Sequence, residues 1–427
     1  MHLDRRDFLK VGALASAGLL ARPRLVFGRS DAPPADTVVV VFLRGGLDPM
    51  QAVPPYGDAD YRKLRPTIAV PDPDAAGGAL ALDGMFGLHP SLAPLLPIYQ
   101  AGQLAVVHAT GLKHDERSHF ACQDHLESGI MAMAGEHAAH AGWLNRHLLA
   151  SGDPGGFAAV GFGNAMPGSL RGQARALAMA SLPSFAFSTL STRKAELEDR
   201  LYALFGRDNA VGVASRGALD ATDYLAAVNP GAIAVEGGAA YPAGSFGSGL
   251  KQVAQMIKAR MGLRIACVDL GNFDHHDAIQ AELPPLLDEL AAGLAAFNAD
   301  LGTRMADVTL LTMTEFGRRA AENASGGTDH GCGSMMLLMG GGVNGGCVHT
   351  DWPGLGAGQL FNGDLDVTLD YRLVLTELVR KRLGGDLDGS LFPDVAGQPL
   401  PGCFSSARRV PESRVRTPRG EQAPLSP

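Results

Sequence analysis

Paired cysteines, a basic stripe and a second long apolar run are all missing from this chain, and each absence removes a class of protein. The five cysteines (Cys122, Cys267, Cys332, Cys347 and Cys403) are scattered, with no C-x-x-C spacing. A disulfide scaffold and a structural zinc knuckle are therefore unexpected. Cys332 and Cys347 either pair across a loop in an oxidising compartment or are two small buried residues. Lys and Arg are dispersed through the body, and the formal net charge is -8. A nucleic-acid binder needs a basic stripe to replace counterions, so that class is excluded; the acidic balance serves solubility. Beyond the N-terminus nothing approaches the length needed to span a bilayer, and no internal repeat is visible. Charged residues are 19% against 46% hydrophobic, which rules out global disorder and supplies a sizeable core.

What is present starts at the N-terminus. Asp4-Arg5-Arg6-Asp7-Phe8-Leu9-Lys10 precedes the apolar run Val11 to Ala21. A charged start, a short apolar stretch and a small-residue tail make residues 1–30 a signal peptide rather than a span. The paired arginines before Phe-Leu-Lys give it the twin-arginine form. An amphipathic helix is the competing reading, and it fails because Val11 to Leu20 has no polar face. No clean A-x-A precedes Ser30. The expected location is periplasmic or extracellular, with the twin-arginine translocase as a partner during export. That route carries folded proteins, so a metal can be loaded beforehand. Residues 31–403 are expected to form one α/β domain, and 404–427, rich in Pro, Arg and Ser, a disordered tail.

Along the domain, buried strands and helices alternate. Thr37 to Leu43 (TVVVVFL) is a β-branched run of the kind buried on both sheet faces. Leu104–Ala109, Leu263–Leu270, Val308–Met313 and Ser334–Met339 read as further buried strands. Helices are expected over Pro90–Gln100, Ser118–Gly129, Arg193–Phe205, Arg216–Val228, Gly249–Arg260, Leu283–Leu301 and Tyr371–Leu383. Ser151 to Leu182 shows no clear period, and Ala232 to Phe246 reads as a Gly-rich loop. The alternation implies a mostly parallel sheet covered on both faces.

Ligands of such sheets bind beyond the carboxyl ends of the strands, and the residues there are suggestive. The first strand delivers Asp48; the second delivers His108, then His114, Asp115, Arg117, Ser118 and His119. The strand ending at Leu270 delivers Asp274, His275, His276 and Asp277. Thr314 and Glu315 follow Met313, and Asp329 and His330 precede the last strand. Carboxylates and imidazoles are the ligands of choice for divalent cations. Bland alternatives stand beside these readings. Asp48 could be a turn or cap residue, and Ser118 an N-cap as readily as a nucleophile at a helix start. Glu315 and Arg318 could form a surface ion pair. His89 reads as a cap or core histidine.

These segments resemble the bacterial exported family called domain of unknown function 1501, placed in the alkaline phosphatase and sulfatase superfamily. The matching stretches are Phe42-Leu43-Arg44-Gly45-Gly46-Leu47-Asp48, Gly87-Leu88-His89-Pro90-Ser91-Leu92, Leu104-Ala105-Val106-Val107-His108 and Arg117-Ser118-His119-Phe120. Gln123, Glu127-Ser128-Gly129, Phe273-Asp274-His275-His276, Thr314-Glu315-Phe316-Gly317-Arg318 and Gly327-Thr328-Asp329-His330-Gly331 complete the set. The resemblance implies a three-layer sandwich and a divalent cation (zinc, calcium or manganese). It implies hydrolysis of sulfate or phosphate esters, on small molecules or glycans. Carried over by position, Asp48, Asp274, His276 and Glu315 would hold metal, with Ser118 the nucleophile. His330 would be the late metal-site histidine and, with Arg117, would stabilise charge on the transferred group. The departure is Glu315-Phe316, where the superfamily has Asp-His: Phe cannot ligate. That position is short of a ligand unless His119 or Asp329 supplies one. A single-metal site follows, or a non-catalytic exported binding protein that keeps the fold.

Overall fold

A computed structural model describes residues 36–131, 141–152, 156–185, 194–206, 210–385 and 390–406; the expected signal peptide, residues 1–30, and residues 407–427 lie outside the described residues. The strands are β1 (Thr37–Leu43), β2 (Leu80–Ala81), β3 (Gly87–Leu88), β4 (Leu104–Gly111), β5 (Ala159–Phe162) and β6 (Leu177–Met179). They continue with β7 (Ile265–Leu270), β8 (Val308–Met313), β9 (Ser334–Gly340), β10 (Val348–His349) and β11 (Leu369–Asp370). Nine of them form one sheet in the order β10-β4-β9-β8-β1-β7-β5-β6, with β11 also paired to β4. Among the described residues, only β9 runs antiparallel to its neighbours within that sheet. The mostly parallel α/β architecture is therefore present.

Every residue of β1 is buried, because β1 lies inside the sheet with helices over both faces. Val39, Val41 and Leu43 pack with Leu250 and Val253 of α2 (Ser245–Lys258; α1 is His119–Ser128) and with Leu287, Leu294 and Phe297 of α3 (Ile279–Leu301). Val38, Val40 and Phe42 face the other way, onto Val374, Leu375 and Leu378 of α4 (Tyr371–Arg382) and onto Trp143. The period-2 alternation of side chains thus feeds two separate cores. Each fully buried aliphatic side chain contributes about 1.5–3 kcal/mol. Among the described residues no helix is long and apolar enough to cross a membrane.

Three local expectations need correction. Pro90–Gln100 is not one α-helix: Pro90–Leu95 is a 3-10 helix, and only Leu96–Gln100 is α-helical. Pro94 and Pro97 have no N–H to give to the α-helical ladder, so the chain takes tighter turns there. All five cysteines are free: Cys332 is buried with Sγ 3.0 Å from the Leu112 carbonyl, whereas Cys347 is exposed near His349. The packed chain also runs past residue 403. Phe404 is buried, and the Ser405 N–H donates to the Gly342 carbonyl.

Register fixes where the site forms. Leu43 pairs with Leu270, and Phe42 with Met313, so the chain leaves β1, β7 and β8 at one edge. Antiparallel β9 begins at that same edge, where Ser334 pairs with Thr110 near the end of β4. Four connections therefore meet there: the turn after β1, the two loops after β7 and β8, and the segment entering β9. The loop after β4 joins them and leads into α1.

Candidate metal centre

Asp274 lies four residues past β7 and gathers three imidazoles. His330 Nε2 and His276 Nε2 are each 3.1 Å from Asp274 Oδ1, and His119 Nε2 is 3.2 Å from Oδ2. His276 Nε2 and His330 Nε2 are 2.9 Å apart. One ligand atom each from His119, Asp274 and His330 falls within 4.8 Å of the others.

The far nitrogen of every ring has an oxygen acceptor. His119 Nδ1 is 2.9 Å from Glu315 Oε1, His276 Nδ1 is 3.0 Å from Asp329 Oδ1, and His330 Nδ1 is 2.8 Å from the Arg117 carbonyl. With its proton on Nδ1, facing the oxygen acceptor, each ring would leave Nε2 free to ligate a cation beside Asp274. Three imidazole Nε2 atoms and one carboxylate form a donor set that suits zinc, and the oxygen partners behind the rings are the usual outer support of such ligands. The residues present therefore fit a divalent cation, which His119, Asp274, His276 and His330 would hold.

The support behind His119 is buried. Glu315 is fully enclosed, and its Oε1 accepts from the Gly45 N–H at 2.9 Å and from Gln123 Nε2 at 2.9 Å, besides His119. Burial by itself would raise its carboxyl, but the bonds from Gln123, His119 and Gly45 bring it below the ordinary range. For Asp274 too, burial pulls upward and is outweighed, here by Arg318 and His330, so the group stays ionised. His330 is lowered, by burial first, against the upward pull of the Arg117 carbonyl and Asp274. Asp329 is lowered by its bonds from His276 and Asn323.

Two glycines let these loops close. Gly45 has φ +118° and a Cβ there would lie 2.7 Å from the Asp274 backbone nitrogen; Gly46 has φ +70° and a Cβ would strike the Phe316 ring at 2.4 Å. Phe316 itself packs against the rings of His119 and His330, with centroids 4.8 and 4.5 Å away. It forms an apolar wall beside the imidazoles.

The remaining candidates are placed differently. Asp48 does not join the cluster: its Oδ1 caps the one-turn helix Pro49–Ala52 and accepts from Arg65 Nη1 at 2.9 Å, while Oδ2 accepts from the Thr328 hydroxyl at 2.9 Å. Arg65 is fully buried and gives its other donors to the Ala320 and Arg319 carbonyls. Ser118 is exposed at the N-cap of α1, directly before His119, and its side chain makes no capping bond. The Arg117 guanidinium turns to Asp364 and to the carbonyls of His114 and Glu116. His89 caps its helix through Nδ1, and His108 is a core residue bonded to the Val53 carbonyl.

Arg318 overturns the surface-pair expectation. It is 1% exposed and partners Asp274, not Glu315, with Nη2 2.7 Å from Asp274 Oδ1. Nothing in its spacing from Glu315 pointed to a partner 44 residues upstream. Arg65 carried no sequence signal at all.

A family model described as "Protein of unknown function (DUF1501)" matches residues 35–377, and the chain belongs to that family. A search of the curated proteins finds no match. Among solved structures, the chain is similar to the zinc complex of the C-terminal periplasmic domain of EcEptC from Escherichia coli, at 10% identity and a TM-score of 0.33, over 75% of this chain and 76% of that one. Alkaline phosphatase from the Antarctic bacterium TAB5 is similar at 8% identity and a TM-score of 0.30, over 72% and 92%. The lipoteichoic acid synthase LtaP from Listeria monocytogenes is similar at 8% identity and a TM-score of 0.30, over 77% and 71%.

Proposed function

We propose that this DUF1501 protein is an exported, single-metal hydrolase of sulfate or phosphate esters, carried out of the cytoplasm by the twin-arginine translocase. The observation that supports it is the set of three histidines anchored at Nδ1 and converging at Nε2 on Asp274. When bound, a divalent cation supplies Lewis-acid stabilisation of an ester oxygen and lowers the pKa of a nearby hydroxyl. Glu315 and Asp329 hold the His119 and His276 rings in the tautomer that offers a lone pair. Arg318 keeps Asp274 ionised. Ser118, exposed at the start of the ten-residue helix α1, is the nucleophile; the helix N-terminus there favours developing negative charge. Asp48 is left to structure, because its carboxylate is already shared by Arg65, Thr328 and the helix cap.

Purified protein loaded with zinc should turn over aryl sulfates or aryl phosphates. Activity should fall at least about 100-fold in Ser118→Ala and in Asp274→Ala. Equal turnover in wild type and Asp274→Ala would remove the hydrolase reading. Phe316, which fills the place beside His119 and His330 with an apolar ring, favours a second reading, that of an exported protein that binds its ligand without turnover. Tight zinc binding with no turnover of either ester class would select it.

A further inference from the structure

His330 is the one imidazole of the cluster whose outer partner is a main-chain carbonyl, that of Arg117. A carbonyl on a loop is only as well placed as the loop. This one is pinned by its own side chain: Arg117 Nη1 doubles back to the His114 and Glu116 carbonyls, at 3.0 and 2.9 Å. The Arg117 and Ser118 N–H groups also converge on Glu116 Oε1, at 2.9 and 2.8 Å. Arg117 Nη2 then reaches Asp364, whose carboxylate is fully buried.

Asp364 touches the other side of His330 as well. Its Oδ1 is 3.4 Å from Arg319 Nη1, and the Arg319 N–H donates to the Asp329 carbonyl at 3.0 Å, next to His330 in the chain. Bridges between Arg318 and His330 and between Arg319 and Asp364 lay these segments side by side. A single buried carboxylate thus ties down both the acceptor of His330 and the segment that carries it.

We infer that Asp364, acting through Arg117, is a positioning residue that fixes the ring of His330 for metal binding. The inference rests on the metal reading above. It assigns the Arg117 side chain to the loop instead of to the substrate.

The test is a zinc-affinity cycle by chelator competition on wild type, Asp364→Asn, His330→Ala and the double variant. Asp364→Asn should weaken zinc about 10–100-fold with one ion still bound per chain, and Asp364→Glu should recover part of the loss. It should also shift the visible spectrum of the cobalt-loaded protein. In the His330→Ala background the same change should have no further effect, which a general loss of folding would not reproduce. Should Asp364→Asn fail to fold, Arg117→Gln runs the same cycle from the partly exposed side of the pair. Equal losses in both backgrounds, or unchanged affinity, would overturn the inference while leaving the metal centre intact. Wild type that binds no zinc would sink the metal reading itself.

Discussion

Replacing Arg318 with methionine removes a buried guanidinium at the junction of three loops. Its Nε donates to the Gly46 carbonyl at 2.7 Å, Nη1 to Thr328 at 3.0 Å, and Nη2 to Gly45, to Phe273 at 3.1 Å and to Asp274 at 2.7 Å. A buried acceptor stripped of its donor costs about 1–3 kcal/mol. The carbonyls can recover some of this through their second lone pair, and Asp274 is 42% exposed, so it can be rehydrated. The full sum is therefore not reached. Breaking one side of a buried pair costs about 3–5 kcal/mol, and the lower half of that range applies here. That is still a large share of the 5–15 kcal/mol typical of a folded domain, taken as an order of magnitude. Urea unfolding at neutral pH, with chelator present, reads it directly. Arg318→Lys should restore only the charge at Asp274 and leave most of the deficit, because lysine lacks the fork.

The pH dependence has a definite sign. Asp274 has its folded pKa depressed, so the pairing stabilises above its unfolded value near 4 and is lost as pH falls below it. The deficit of Arg318→Met should therefore be constant from pH 7 to about 5 and narrow below about 4. A loss under about 1 kcal/mol at neutral pH, or a deficit that grows on acidification, would refute this account of the junction.

Other outcomes follow from the same geometry. Asp48→Asn should cost about 3 kcal/mol, because Arg65 is left buried without its anion, while zinc stoichiometry stays unchanged; loss of the ion without loss of stability would make Asp48 a ligand. Burial lowers the pKa of His108 and of His147 to about 4. The unfolded value is about 6.5, so unfolding takes up protons between the two, and stability should fall by about 1.4 kcal/mol per pH unit per histidine as pH drops through that window. A urea midpoint that is flat from pH 7 to 5 would contradict it. Phe316→Ala should lower stability by about 3–5 kcal/mol by opening a void against His119 and His330, measurable as a drop in the thermal midpoint.

The central strands were legible because burial on both faces writes itself as an unbroken apolar run: TVVVVFL and VTLLTM admit little else. Their carboxyl ends then pointed to Asp274, His276 and Glu315, and the loop entering the last strand to His330; the register of β1, β7, β8 and β9 brings these to one edge. Direction was not legible. The apolar run of β9 reads the same parallel or antiparallel, and only the pairing with β4 and β8 shows its reversal. Strands of two to four residues, such as β5, β6, β10 and β11, are too short to show a period. Polar partners were the harder problem. Asp48 offers the same carboxylate to a cap, an arginine or a cation, and what decides among them is Arg65, 17 residues on, with a fully buried guanidinium. Arg318 likewise has its chemistry set by a loop far upstream, so spacing alone suggested the wrong partner.

The central claim is that three imidazoles and one carboxylate form a single cation site at the sheet edge. Metal content of the purified protein after zinc loading and gel filtration tests it most directly. The account predicts one zinc per chain in wild type and Asp48→Asn, and none in the His276→Ala, His330→Ala double variant, with all three folded by circular dichroism. Folded wild-type protein that emerges without metal, or a double variant that keeps its zinc, would contradict it.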